Sequence, residues 1–136
     1  MSKKSQYRFS FGPWNISEGS DPFGPNVRSA YPHEKKYKLY KSLGFDGVQF
    51  HDDDVVPGLE KLKPAQIMAK AGKVAKALRA QGLVAEFVAP RLWFAPETVD
   101  GGYTSNSASD RKSAWERTQR CIDIARAVGS KAVVLW

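Results

Sequence analysis

A histidine followed at once by three aspartates, His51-Asp52-Asp53-Asp54, closes an apolar-leaning stretch, Gly47-Val48-Gln49-Phe50. An imidazole changes charge near neutral pH, and a carboxylate beside it can hold one ring nitrogen, so these residue types at this spacing could handle protons. Adjacent carboxylates repel one another, and strands disfavour aspartate. The run therefore has two readings. It is a solvated loop where charge costs little, or it is the exit of a rigid strand, anchored by Val48 and Phe50, that carries catalytic groups.

The elements around it favour the second reading. Residues 7–12, YRFSFG, alternate aromatic and polar and stop at glycine, which predicts a strand. A stretch rich in glycine and proline follows, and then HEKKYKLYKSLG runs helical from Pro32 to Gly44. FDGVQF is a second strand, and Pro64 opens a second helix in which Ile67, Ala71, Val74 and Leu78 recur at helical spacing up to Gly82. LVAEFV is a third strand, followed by a long loop from Ala89 to about Ser109. DRKSAWERTQRCIDIARAVG is a third helix with Ala114, Thr118, Cys121, Ile122, Ala125 and Val128 on one side, and KAVVLW is a fourth strand.

The order is β-α-β-α-β-α-β, with short turns after the helices and long loops after the strands. That pattern predicts a parallel α/β architecture with its chemistry at the carboxyl ends of the strands. No G-x-G-x-x-G follows the first strand, so a dinucleotide site lacks support. A (β/α)₈ barrel typically needs about 250 residues, and four strands make half of one. The sequence stops on VVLW with no helix after it, so the chain reads as cut. Trp14, Trp93 and Trp136 each fall at or beyond a strand end, which favours a shared pocket over three separate core positions. Trp115, inside the third helix, is read as packing and His33 as an exposed helical residue.

Composition excludes other classes. The 136 residues, 42% apolar and 26% charged, describe one ordinary globular domain spanning 1–136. There is no apolar run of membrane-spanning length and no secretory h-region, and the lone Cys121 fits a reducing cytoplasm. The net charge of +7 invites a nucleic-acid reading. Yet Lys35, Lys36, Lys38 and Lys41, like Lys70, Lys73, Lys76 and Arg79, interleave with apolar residues as on the solvated faces of two helices.

Several stretches, in order, resemble the N-terminal half of xylose isomerase of the shorter, actinobacterial-type class: FSFGPWN, DPFGPNVR, GFDGVQFHDDDVVP, DGGYTSN and the final VVLW. The resemblance implies an incomplete TIM (β/α)₈ barrel of about four β/α units, from a metal-dependent aldose–ketose isomerase that converts D-xylose to D-xylulose. It implies that His51 opens the cyclic sugar and that Asp54 fixes its tautomer, with Asp52 and Asp53 structural, capping loop amides or facing solvent. Trp14 and Trp136 would line the sugar pocket, and Trp93 stands where the family usually has phenylalanine. Phe23 would enter a neighbouring subunit's pocket in an oligomer, a tetramer in the intact enzyme. VAPRLWF stands in place of the threonine- and asparagine-bearing segment usual after strand three, with Ala89 and Pro90 where hydroxyls are expected, a departure that bears on the sugar accepted.

The divalent ions implied, Mg²⁺ or else Mn²⁺ or Co²⁺, take their ligands from later strands, so no metal ligand is expected in this chain, and the chain alone is expected to be inactive. The HDDD run is not read as a metal site, because neighbours on an extended segment point to opposite faces. The alternative is a short non-catalytic half-barrel that binds a complementary chain, itself or a polyanion. The metal-binding histidines and glutamates of the apurinic endonucleases, a related barrel, are not recognisable here.

Overall fold

In the computed structural model, residues 7–16, 27–29, 31–93 and 95–135 are described. Three strands form one parallel sheet in the order β1 (Ser10–Phe11), β2 (Gly47–His51), β3 (Val84–Ala89). The helices α1 (His33–Ser42), α3 (Pro64–Ala80) and α4 (Ala108–Val128) follow the three strands in turn, and a one-turn helix α2 (Asp52–Val55) starts where β2 ends. Helix α4 opens on a side-chain N-cap: the Ser107 hydroxyl accepts from the Asp110 amide.

The connections obey the periodicities in the sequence. Each long helix closes on a glycine with positive φ: Gly44 at 87°, Gly82 at 64° and Gly129 at 81°. That left-handed geometry lets the chain drop straight into the next strand. The apolar stripes meet on one side of the sheet. Val48, Phe50 and Val88 from the strands pack with Tyr37 and Tyr40 of α1, Ile67 and Leu78 of α3, and Cys121 and Ile124 of α4. Tyr37 meets Phe50 edge-on at 6.3 Å. Burial pushes the hydroxyls of both Tyr37 and Tyr40 well above the usual tyrosine range, with nearby acidic groups adding to it.

Register fixes which residues stand side by side at the sheet's upper rim. Gly47 pairs with Val84 and Val48 with Ala85, but Phe50 pairs with Val88 and His51 with Ala89. Two residues of β3 thus oppose Gln49 alone, a β-bulge. Gln49 uses its side-chain amide on the other face, donating to Ser10 Oγ at 2.7 Å and to Glu86 Oε2 at 3.0 Å.

Four sequence expectations change. The first strand is two residues long, not six, although Phe9 still accepts through its carbonyl from the Asp46 and Gly47 amides. Among its described residues KAVVLW contributes a single parallel bridge, Val88 to Val133, rather than a strand: the Val88 amide donates to the Ala132 carbonyl and the Val134 amide to the Val88 carbonyl. Lys36 is not on a solvated face. It is 4% exposed, and its ammonium donates to the Pro13 carbonyl at 3.0 Å, because the chain after β1 lies across this side of α1. Trp115 is not packing: its side of α4 faces outward and it is 59% exposed.

Candidate active-site cleft

The HDDD run is neither a loose loop nor an extended segment. Its three aspartates form the first turn of α2, and the helical turn fans them in different directions. His51 and Asp54 form a reciprocal capping box, in which the Asp54 carboxylate accepts the His51 backbone N–H at 2.8 Å.

Asp52 points inward and is fully buried. Its Oδ1 accepts the backbone amides of Asp53 at 3.0 Å and Arg91 at 3.1 Å. Arg117, projecting from α4, grips it with Nε at 2.7 Å and Nη2 at 2.9 Å. The capping of loop amides was expected of Asp52; the buried ion pair was not. Burial works against the Arg117 charge, yet its hydrogen bonds and charge pairing with Asp52, helped by Asp53 and Glu60, hold its pKa above the usual arginine value.

Asp53 and Asp54 point toward the strand ends, where Arg91 meets them. Its Nε donates to Asp53 Oδ1 at 2.8 Å and its Nη2 to Asp54 Oδ1 at 3.2 Å, and Nη2 also stands 2.9 Å from His51 Nδ1. Burial raises the Asp53 carboxyl above its ordinary value, a rise that the Arg91 hydrogen bond and charge only partly offset. Asp54 goes the other way. Burial would raise it, but the close contact with the His51 ring and the hydrogen bond from the His51 amide, together with the Arg91 charge, hold it below the ordinary value.

His51 is the last residue of β2 and is 5% exposed. Its ring lies against the Trp14 indole at 4.5 Å between centroids and meets the Trp93 indole edge-on at 5.1 Å. Trp14 follows β1 in a tight turn, where its indole lies over Gly12; a Cβ there would stand 2.2 Å from the ring. Trp93 follows β3, and the Arg91 guanidinium lies 5.7 Å from its ring centre. Trp14, His51, Arg91 and Trp93 line one open cleft of about 530 Å³. Asp53, Arg91 and Arg117 also border a second hollow of about 470 Å³, which Glu60 and Glu97 line as well.

No family model matches the sequence. A solved structure described as a xylose isomerase-like TIM barrel/4-hydroxyphenylpyruvate dioxygenase fusion protein superposes on 93% of this chain, with a TM-score of 0.55 and 14% identity. The fold is part of a TIM barrel. The chain spans 15% of that protein's length, and at this identity the likeness is one of fold. In TIM barrels the carboxyl ends of the strands carry the chemistry, and here that rim holds His51 of β2 and the residues that follow β1 and β3.

Of the residues singled out in the sequence, the structure gathers His51, Asp54, Trp14 and Trp93 at this rim. Phe23 and Trp136 lie outside the described residues. Arg91 and Arg117 were missed. Arg91 was legible in principle, since parallel pairing of β2 with β3 carries the chain after Ala89 up beside the chain after His51. Arg117 betrays itself only as a cation three residues after Ala114 on an otherwise apolar helix stripe.

The metal question turns on the same guanidinium. One donor atom from each of His51, Asp53 and Asp54 lies within 4.8 Å of the others. Alternation along an extended segment is not what keeps these groups from an ion, because the turn is helical. Arg91 already contacts all three, and a divalent ion among them would face that positive charge at a few ångströms. The described residues therefore do not fit the divalent-metal centre of an aldose–ketose isomerase.

Proposed function

We infer that this chain is the N-terminal portion of a metal-dependent aldose–ketose isomerase acting on a pentose of the D-xylose type. It supplies the sugar-facing wall and the group at the anomeric end, while the divalent ions of that reaction would be held by residues outside it. The observation that carries the reading is the imidazole of His51, in contact with both the Trp14 and Trp93 indoles and 3.1 Å from the Asp54 carboxylate, at the strand-end rim of a TIM-barrel fold. Indole faces suit the C–H faces of a sugar and exclude water from them. An imidazole between them is placed to engage the anomeric oxygen during ring opening.

Trp93 and Arg91 set the limits of the cleft on the β3 side. An indole at 93 fills more of that space than the phenylalanine usual in the family, which bears on the sugar accepted.

The test uses the chain alone and then the chain completed with a half-barrel bearing the acidic strands of a xylose isomerase. Alone it is expected to show no metal-dependent turnover of D-xylose. Completed, it is expected to turn the sugar over, and His51→Gln is expected to slow reaction on the cyclic sugar more than on an open-chain substrate. Equal slowing of both would remove the ring-opening role.

A further inference from the structure

The Nδ1 atom of His51 is contested. Arg91 Nη2 stands 2.9 Å from it, and Asp54 Oδ2 stands 3.1 Å away. A guanidinium offers only donors and an ionised carboxylate only acceptors, whereas Nδ1 of a neutral ring offers one N–H or one lone pair. The two contacts cannot both be hydrogen bonds at once.

Three features separate them. The Asp54 carboxylate is supplied without the ring, since Oδ2 accepts the His51 backbone N–H at 2.8 Å and Oδ1 accepts Arg91 Nη2 at 3.2 Å. In the capping box of α2 the His51 side chain also faces the Asp54 backbone amide, a second donor group on that side of the ring. Finally, the guanidinium nitrogen is the nearer of the two partners, at 2.9 Å against 3.1 Å for the carboxylate oxygen, and a group that offers donors alone is met by a lone pair on the ring.

We propose that Arg91 is a positioning residue that fixes the tautomer of His51, with Nδ1 accepting from the guanidinium and the proton carried on Nε2. This reverses the arrangement in which Asp54 holds an Nδ1 proton. Arg91 can impose it because it is held itself: its Nε donates to Asp53 Oδ1 at 2.8 Å, its backbone N–H to Asp52 Oδ1 at 3.1 Å, and its fork lies against Trp93. A planar fork anchored at several points delivers its donors in one geometry, which a lysine would not. The consequence for the cleft rests on the isomerase reading. A neutral imidazole carrying Nε2–H polarises a sugar oxygen by donating to it and does not act as a base that takes a proton from it.

Long-range proton–nitrogen correlation spectra of the ¹⁵N-labelled 136-residue chain at neutral pH test this directly. The chain has two histidines, so His33→Gln leaves the His51 signals alone. The expected spectrum shows a neutral ring protonated on Nε2. Arg91→Met is expected to lose that pattern in favour of Nδ1–H, as Asp54 takes over the ring, while Asp54→Asn keeps it. An Nδ1–H or doubly protonated ring in the native chain overturns the proposal, as does a pattern that changes in Asp54→Asn and not in Arg91→Met. If Arg91→Met does not fold, the native and Asp54→Asn spectra still decide. The readout needs no sugar. An Nε2–H ring in a completed barrel that fails to isomerise pentoses keeps the tautomer and discards the isomerase reading.

Discussion

Arg117 on α4 and Asp52 at the start of α2 form a two-pronged ion pair, with Nε–Oδ2 at 2.7 Å and Nη2–Oδ1 at 2.9 Å, across 65 positions of sequence. The pair ties the helix that follows β3 to the turn that carries His51, so the last helix of the chain bears on the geometry of the rim.

Breaking that pair from one side strands a charge. Asp52 is fully buried and the Arg117 side chain is 10% exposed, so Asp52→Asn is expected to cost about 3–5 kcal/mol. Urea denaturation followed by circular dichroism measures it. Joining Asp52→Asn to Arg117→Met is expected to recover part of the loss, because the orphaned cation goes too. Equal stability of the single and double variants would show that the packing, and not the charge, matters.

The acid limb of stability divides between two neighbouring carboxylates of opposite sign. Asp54 is held below its ordinary value, so its contribution is present above about pH 4 and is lost as pH falls through the lowered folded value. Asp53 is raised, so its charged form is a burden near neutrality that protonation relieves as pH falls through the raised value. Thermal melts across this range are expected to show Asp54→Asn flattening the acid loss and Asp53→Asn removing the relief that precedes it.

Gly12 owes its identity to close approach, not to an unusual dihedral angle, since its φ is −90°. A methyl group there would meet the Trp14 ring at 2.2 Å, and Gly12→Ala is expected to cost about 1–3 kcal/mol by overpacking. The displaced indole leaves His51, which a shift in tryptophan emission detects.

Cys121 lies fully buried on the inner stripe of α4, and burial pushes its thiol up to about 12, with the Asp52 charge adding to the rise. No reaction with an aromatic disulfide reagent is expected in the folded chain near pH 8, and one equivalent is expected in urea. Rapid labelling without denaturant would show that α4 detaches readily.

The architecture was legible because it rests on local signals. Glycine stops, the stripe through Ile67, Ala71 and Leu78, and strand–helix alternation each speak within a few residues. The same holds for His51, Trp14 and Trp93, since a residue that ends a parallel strand is already placed at the rim. What escaped depends on partners far along the chain. Arg91 meets Asp53 across 38 positions, and Lys36 is buried by Pro13, 23 residues before it. No helical wheel shows that a lysine faces inward when the covering segment lies outside the helix. The reading of the HDDD run as extended failed for a different reason. Helix α2 is four residues long, too short for a periodic signal.

The bulge opposite Gln49 gives β3 one point of slack. With the same residues and a regular ladder, His51 would face Val88 in place of Ala89, and Arg91 would overshoot by one residue, about 3.3 Å. Such a slip exceeds the tolerance of a hydrogen bond. Loss of Phe87 alone would straighten the ladder while leaving both ends of the strand aligned with β2. Gain or loss of a residue between Val88 and Arg91 would instead carry the guanidinium past His51, so a designer reshaping this rim has freedom of length below Val88 and none above it.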